Sequence, residues 1–589
     1  MSDAIERARA FIEQEQAFRL GTLTTEAFHP KTKHLSRTAA EDLRTAVSML
    51  QSVDGDIPPA MREVLTGPLF SRLAEAMTRA IGGGHRVFFT GCGATGRLSI
   101  LLEAAWRRFW NELRESNTAA AEKMPDLTDA VYSVMAGGDF ALIKSVEGFE
   151  DFPDFGRHQL RQAGVAPGDV VVAITEGGET PFVIGTAWEG LDRGAEVFFV
   201  YNNPTKLLAA AVERSRQVIE EPRITKIDLV TGPMAISGST RMQATTAEML
   251  VVGAALETAL VRLLERHLGA EGPGRLGIQP LKPAEYHGVF SSLLSQLSTP
   301  APVAAMIRLI EFEEAIYRNK GLVTYFVDAF LLDVLTDTTE RSPTFMVPPF
   351  RRCDDTRSPR SWAFVKNPHL PSIEAWRQML GREPRGLDWT AETYHRLDAP
   401  ENLRTHPPKL DNEEIYKFRI GNEPDPSRTD CPDSALITVT VGDEAQADER
   451  MMRGRLARYK RRAAVVVGHV RATHHADNMF GFPMRLPRSP LQLWRRLAVK
   501  LIFNTVSTAT MVRMGRVIGN AMVWLSPSNK KLIDRGTRLV AGVTGCTYEQ
   551  ACEALFQGID ETRQIAATGR EAPSPVAWAI DHLQSQHTP

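Results

Sequence analysis

Residues 85–105 read HRVFFTGCGATGRLSILLEAA: a β-branched and aromatic run, a tight glycine loop, then an amphipathic helix. Val87 to Thr90 have the continuous apolar character of a buried strand. Gly91, Gly93 and Gly96 let the backbone turn sharply and approach a ligand without interference from a Cβ. Thr95 brings a hydroxyl to the start of the helix, where free N–H groups and the positive end of the helix dipole favour an anion, a phosphate above all. The glycine spacing also satisfies the first part of a dinucleotide fingerprint. That reading further needs a second strand with an acidic end about 20 residues on, and a long helix with a polar stretch from Asn111 to Thr128 stands there instead. A merely tight strand-to-helix turn is the plainest alternative, and phosphate or phosphosugar binding is the leading one.

Working outward, strands are expected at Val131–Met135, Val170–Ile174 and Val197–Tyr201, separated by helical patterns. Apolar strands divided by helices predict a parallel sheet covered on both faces, with ligands at the carboxyl ends of its strands. Two further loops carry suitable groups at such ends. Thr175-Glu-Gly-Gly-Glu-Thr180-Pro181 offers Thr180 as a cap and Pro181 at the first helical position. Ile236-Ser-Gly-Ser239-Thr240-Arg241-Met242 feeds a long helix over Gln243–Glu265.

The remainder follows the same logic. Residues 1 to about 80 are helical, with a loop near His29 and Pro30, and a Gly/Pro-rich linker runs from Gly269 to Pro283. Leu322–Val327, Leu436–Val441 and Ala464–Val467 predict a second sheet. Residues 346–434, dense in Pro, Asp and Arg, predict an irregular insertion, and helices return after residue 488. The expected fold is α/β: two doubly wound, flavodoxin-like three-layer domains with N-terminal helices and a C-terminal helical lid. The boundaries are residues 1–60 for the N-terminal helices, 61–268 for the first domain, 269–285 for the linker, 286–487 for the second domain and 488–589 for the lid.

A chain of 589 residues needs several cores. Lys plus Arg at 69 nearly balances Asp plus Glu at 71, which removes a global electrostatic case for nucleic acid or an acidic membrane. Cys92, Cys353, Cys431, Cys546 and Cys552 lack disulfide or zinc spacing. The segment Met249–Leu264 is interrupted by Glu257 and Arg262, short of a membrane span, and the first residues lack the apolar core of a signal peptide. A cytoplasmic protein without metal or cofactor is expected. His474-His475 with Asp477 lacks a third spaced metal ligand. The cluster Arg453, Arg455, Arg458, Lys460, Arg461 and Arg462 reads as a solvated helix face.

GCGATGRL, VEGFED at Val146–Asp151, TEGGETPFVIG and SGSTRM resemble the sugar isomerase domain of the N-acetylmuramic acid 6-phosphate etherases and glucokinase regulatory proteins. The C-terminal run Asn504-Thr-Val-Ser-Thr508, Gly515, Asn520, Met522, Asn529, Lys531, Leu532, Arg535 and Thr544-Gly-Cys546 resembles the same family. The likeness extends from Thr24 to Gln557 outside a weakly matching middle. It implies two such domains, closer to the regulatory-protein type. It also implies sugar phosphate contacts at Gly93, Ala94, Thr95, Glu150, Thr175, Thr180, Ser239, Thr240 and, from the lid, Lys500. A protein partner such as a sugar kinase is implied as well.

The etherases of this family use two glutamates, one as acid and one as base, to eliminate lactate. Glu150 matches one; the other falls at Ala105. Glu103 is close in sequence, but two residues along a helix is about 200° of rotation, so it points off that face. In the second domain the phosphate loop is replaced by Phe326-Val-Asp-Ala-Phe330-Leu, in which Asp328 would repel phosphate, while Glu340 in DTTERSPTF matches the missing glutamate. Nothing in the linear order brings Glu340 to the first domain's loop. The expectation is therefore one binding site without turnover, with a second copy that serves as structure or partner platform. An etherase-like lyase or a phosphosugar isomerase with Glu150 as acid or base is the alternative.

Overall fold

The computed structural model describes residues 3–146, 148–442, 458–469, 476–568 and 572–587. Strands β1 (Val87–Gly91), β2 (Val131–Met135), β3 (Val170–Ile174), β4 (Glu196–Tyr201) and β5 (Ile224–Asp228) form a parallel sheet in the order β2-β1-β3-β4-β5. A second parallel sheet holds β6 (Leu322–Val327), β7 (Ala363–Lys366), β8 (Ser434–Val441), β9 (Arg461–Gly468) and β10 (Asn478–Pro483), in the order β10-β9-β8-β6-β7. Read from the other edge, this is β7-β6-β8-β9-β10, the topology of the first sheet strand for strand. The second domain is thus a copy of the first in topology, and β6 stands where β1 does.

Expected strands β2, β3 and β6 have the bounds seen in the structure, and β1, β4, β8 and β9 differ only at their ends. Three were not expected: β5, β7 and β10. Each lies at a sheet edge, where fewer residues must be apolar; β5 is only partly buried and β10 alternates exposed and buried positions. Leu331–Leu335 opens a helix, Leu331–Phe345, the counterpart of the helix Gly93–Ser116 that follows β1. That first helix runs through Asn111, so the polar stretch is shorter than its composition suggests. The insertion between Met346 and Ser434 carries β7 and several short helices.

One apolar cluster runs continuously through both sheets, from Leu20 to Ile580. The helix Leu493–Arg513 is buried along most of its length and packs against helices of both domains and against the N-terminal helices. It is a shared core element, whereas the helices Lys530–Thr544, Tyr548–Ala567 and Pro575–His587, with the N-terminal helix Asp3–Gln14, form the terminal cap. Glu103 shows how the insertion is fastened. It is fully buried and accepts hydrogen bonds from Arg107 on its own helix and from Arg382 and Arg385 of the insertion. These guanidinium groups hold its carboxyl far below the usual range although burial opposes them. It is a fastening residue facing away from the glycine-loop site, as its rotation along the helix requires.

Candidate functional site

The glycine loop owes its shape to close packing. A Cβ on Gly91 would lie 2.4 Å from the Thr95 carbonyl carbon, and one on Gly96 would lie 2.6 Å from Cγ of Met135. Gly93 adopts φ +55°, a left-handed conformation that side chains resist. Cys92 caps the helix. The Thr95 hydroxyl accepts from the Cys92 N–H at 3.0 Å and is also 2.9 Å from the Cys92 carbonyl oxygen. Thr95 therefore closes the loop on itself, while Gly93 and Ala94 present the helix N-terminus to a cleft of about 200 Å³.

Several elements supply the other walls. Thr180 lies at the N-terminus of the helix Pro181–Asp192, and the Thr175 hydroxyl, fully buried behind it, is 3.1 Å from the Thr180 hydroxyl. Ser239 and Thr240 line the cleft beside Gly238, whose φ of +73° and contact with the Arg535 side chain exclude a larger residue. The Ser239 hydroxyl is buried and has no hydrogen-bond partner among the described residues. It is a polar group held ready for a ligand.

Among the described residues, three carboxylates line this cleft. Glu150 is held by the Asn529 side-chain amide on one oxygen and by the Cys92 thiol, 3.5 Å away, on the other. Asn529 also caps the helix Lys530–Thr544, so the terminal cap fixes the orientation of Glu150. Glu176 is buried, and burial pushes its carboxyl up to about 7, with the nearby charges of Glu340 and Glu150 adding to the effect against Lys531. The third is Glu340, which enters from the second domain. Its helix brings it against the first glycine-loop helix, where Arg97 pairs with it.

The placement of Glu340 corrects the expectation that the second copy stands apart from the first site. The helices Gly93–Ser116 and Leu331–Phe345 occupy equivalent places in the two sheets and pack against each other. One turn before Glu340, Asp337 accepts from Arg241, Arg341, Asn504 and Ser507. Arg241 follows Thr240 directly, so this buried network locks the SGSTRM loop onto the second domain.

The cations of the cleft are Arg97, Arg241, Lys531 and Arg535, and each is matched by a carboxylate: Glu340, Asp337, Glu179 and Glu26 respectively. Glu179 is thus turned away from the cleft, toward Lys531 and Arg214. Lys500 does not reach the cleft. Its ammonium donates to the carbonyls of Arg241 and Met242 and to Asn504, in an adjoining cavity that shares Ala94, Arg241 and Glu340 with the cleft. Burial lowers its pKa to about 8.

Of the expected contacts, the structure thus brings Gly93, Ala94, Glu150, Thr180, Ser239 and Thr240 together at the cleft. It places Thr95, Thr175 and Lys500 one layer behind. The sequence alone does not mark Arg97, Glu176, Arg241, Asn529, Lys531 and Arg535 as site residues; the fold brings them to the cleft. Asn529, Lys531 and Arg535 do stand in the C-terminal run that carries the family likeness, but no local pattern connects that run to the glycine loop. Glu147, His474, His475, Arg453 and Arg455 lie outside the described residues; Arg461 and Arg462 pair with Asp433 and Asp477. No group of three or more His, Cys, Asp or Glu able to hold a metal occurs among the described residues. No single described helix is long and apolar enough to cross a membrane.

Comparison with known proteins gives the likeness names. The family model of the glucokinase regulatory protein N-terminal SIS domain matches residues 69–189. The N-acetylmuramic acid 6-phosphate etherase of Gloeobacter violaceus is 32% identical over 244 residues, 41% of this chain and 69% of the relative. That of Prochlorococcus marinus strain MIT 9303 is 32% identical over 246 residues, 41% of this chain and 67% of the relative. The N-acetylmuramic acid 6-phosphate etherase 1 of Bacillus licheniformis is 28% identical over 247 residues, 41% of this chain and 70% of the relative.

Proposed function

The chain belongs to the family of the N-acetylmuramic acid 6-phosphate etherases and the glucokinase regulatory protein, and we propose that its cleft binds a sugar phosphate and acts on it as a carbon–oxygen lyase. The observation that carries this reading is the entry of Glu340 into the cleft that already holds Glu150. Elimination of an ether substituent needs a base for a weakly acidic carbon-bound proton and an acid for the leaving oxygen. Ala105 cannot supply the second group, and Glu340 can. Glu150 and Glu340 are the two carboxyl groups of this proposal, one acting as base and the other as acid.

The phosphate is assigned to the face made by the Gly93–Ala94 helix N-terminus, Thr180, Ser239 and Thr240. Hydroxyls and backbone N–H groups would carry that recognition, since the cleft cations already have carboxylate partners. Thr95 and Thr175 shape this face from behind, and Lys500 holds the SGSTRM loop through its carbonyls.

A second reading, binding without turnover to control a partner such as a sugar kinase, draws support from the match of residues 69–189 to a regulatory-protein domain. Incubating the chain with N-acetylmuramic acid 6-phosphate and assaying lactate separates the two. Lactate formed at an enzyme-like rate and abolished by Glu150→Gln supports the lyase. Ligand-dependent thermal stabilisation without lactate supports the sensor, and neither signal excludes both.

A further inference from the structure

A separate cavity of about 220 Å³ opens at the β7 edge of the second sheet and shares no lining residue with the cleft. Five cations line it without a carboxylate ion pair among the described residues: Arg351, Arg360, Lys366, Arg419 and Arg428. The lining carboxylate is Asp425, which accepts from the Ser427 hydroxyl. Arg352 also lines the cavity but is paired with Asp354 and Glu414. Glu423, the nearest other acid in sequence, turns its carboxylate to the backbone and hydroxyl of Ser372.

Two of these cations are deeply placed. Arg428 is 3% exposed, and its guanidinium donates to the Thr324 hydroxyl and the carbonyls of Val323 and Ser361. Lys366, the last residue of β7, is 2% exposed and donates to the Glu423 carbonyl. Burying positive charge against neutral oxygens is costly, and an anion in the cavity would offset that cost. Burial lowers the pKa of Lys366 to about 8, with the charges of Arg428 and Arg419 adding to the effect against Asp425 and Glu423.

We propose that this cavity is a second anion site that takes the phosphoryl groups of a small, soluble, multiply charged ligand such as a pyrophosphate. The cation excess calls for more than one negative charge. Planar guanidinium groups suit phosphate oxygens in pairs. A space of this volume is smaller than the usual ~300–1,000 Å³ of organic ligand pockets, which restricts the occupant to a phosphoryl head or a compact ester. The site would operate independently of chemistry in the cleft.

Calorimetric titration of the full chain with inorganic pyrophosphate tests this, using Ser239→Ala as a cleft variant and the double variant R360Q/R419Q. Arg360 and Arg419 lie toward the surface, so the double variant is expected to keep the wild-type melting temperature. The expected result is equal affinity for wild type and Ser239→Ala, with a loss of about tenfold or more in R360Q/R419Q and a shallower salt dependence, since charged hydrogen bonds are being removed. Unchanged affinity in a folded R360Q/R419Q, loss in Ser239→Ala alone, or no binding to wild type would overturn it. A parallel arm uses phosphatidylcholine vesicles containing phosphatidylinositol 4-phosphate. Vesicle binding without pyrophosphate binding would overturn the assignment to a soluble ligand.

Discussion

Arg97, two residues beyond Thr95 on the first glycine-loop helix, forms a buried ion pair with Glu340 on the equivalent helix of the second domain, Nη1 to Oε1 at 2.5 Å. Its remaining donors are taken by the carbonyls of Ala141 and Leu142 and by the Thr339 hydroxyl. The pair joins the two copies at the cleft itself. Ala105 in the first copy and the glycine-free loop of the second are then complementary departures: one domain keeps the phosphate loop, the other supplies the glutamate.

Ser239 separates binding from folding. Its hydroxyl is buried and unpartnered, so Ser239→Ala removes a polar group that the ligand-free fold does not satisfy. The melting temperature of the free protein is expected to stay level or rise slightly. Affinity for the sugar phosphate should fall by about tenfold, since a hydrogen bond to a charged group contributes ~1.5–3 kcal/mol. Thermal melts with and without N-acetylmuramic acid 6-phosphate check both halves.

Glu176 makes binding pH-dependent. Its pKa is raised from 4.5 to about 7, so the folded protein holds a proton there that the unfolded chain has released, and its effect on stability grows more unfavourable as pH rises from 4.5 to about 7. A bound phosphate prefers the neutral acid. The affinity of wild type relative to Glu176→Gln should therefore fall as pH passes through about 7, and the ratio cancels the ligand's own titration. Titration calorimetry of both proteins across this range would show a constant ratio if Glu176 faced away from the ligand.

Glu103 supports the insertion. Replacing it with Gln removes the ion-pair partner of Arg385 and leaves Arg382 with Asp139 alone; breaking a buried pair in this way costs about 3–5 kcal/mol. Glu103→Gln should lower the melting temperature and admit protease to the segment around Arg382. The folded pKa of Glu103 lies below its ordinary 4.5, so its stabilisation is fully present above that value and fades as pH falls through it toward the folded pKa. The gap in melting temperature between wild type and Glu103→Gln should therefore narrow from about pH 5 downward.

The parts of this architecture visible in the linear chain are those governed by local physics. β3 is a continuous apolar run buried on both faces, and β2 and β6 are interrupted only by Ser133 and Thr324, a pattern that no other local structure explains as well. The edge strands β5, β7 and β10 are short, half-polar or interrupted by Gly and Pro, and a turn-rich reading fits them equally. The three ligand-facing loops were legible because glycines and hydroxyls at strand ends have a direct backbone cause. Lys531 and Asn529 were not, because a helix cap more than 350 residues from Glu150 is joined to it only by tertiary packing. Glu340 was recognisable as a matching glutamate. Its address in the first domain's cleft depends on how two sheets face each other, which no periodicity encodes.

The most direct test of the shared cleft is the initial rate of lactate release from N-acetylmuramic acid 6-phosphate by wild type, Glu150→Gln and Glu340→Gln, with ligand-induced stabilisation as the measure of binding. Wild type is expected to turn over and each variant to lose about 100-fold or more in rate, as for removal of an acid or a base, while still binding. Full activity in a folded Glu340→Gln, or no lactate from wild type that binds the sugar phosphate, would contradict it.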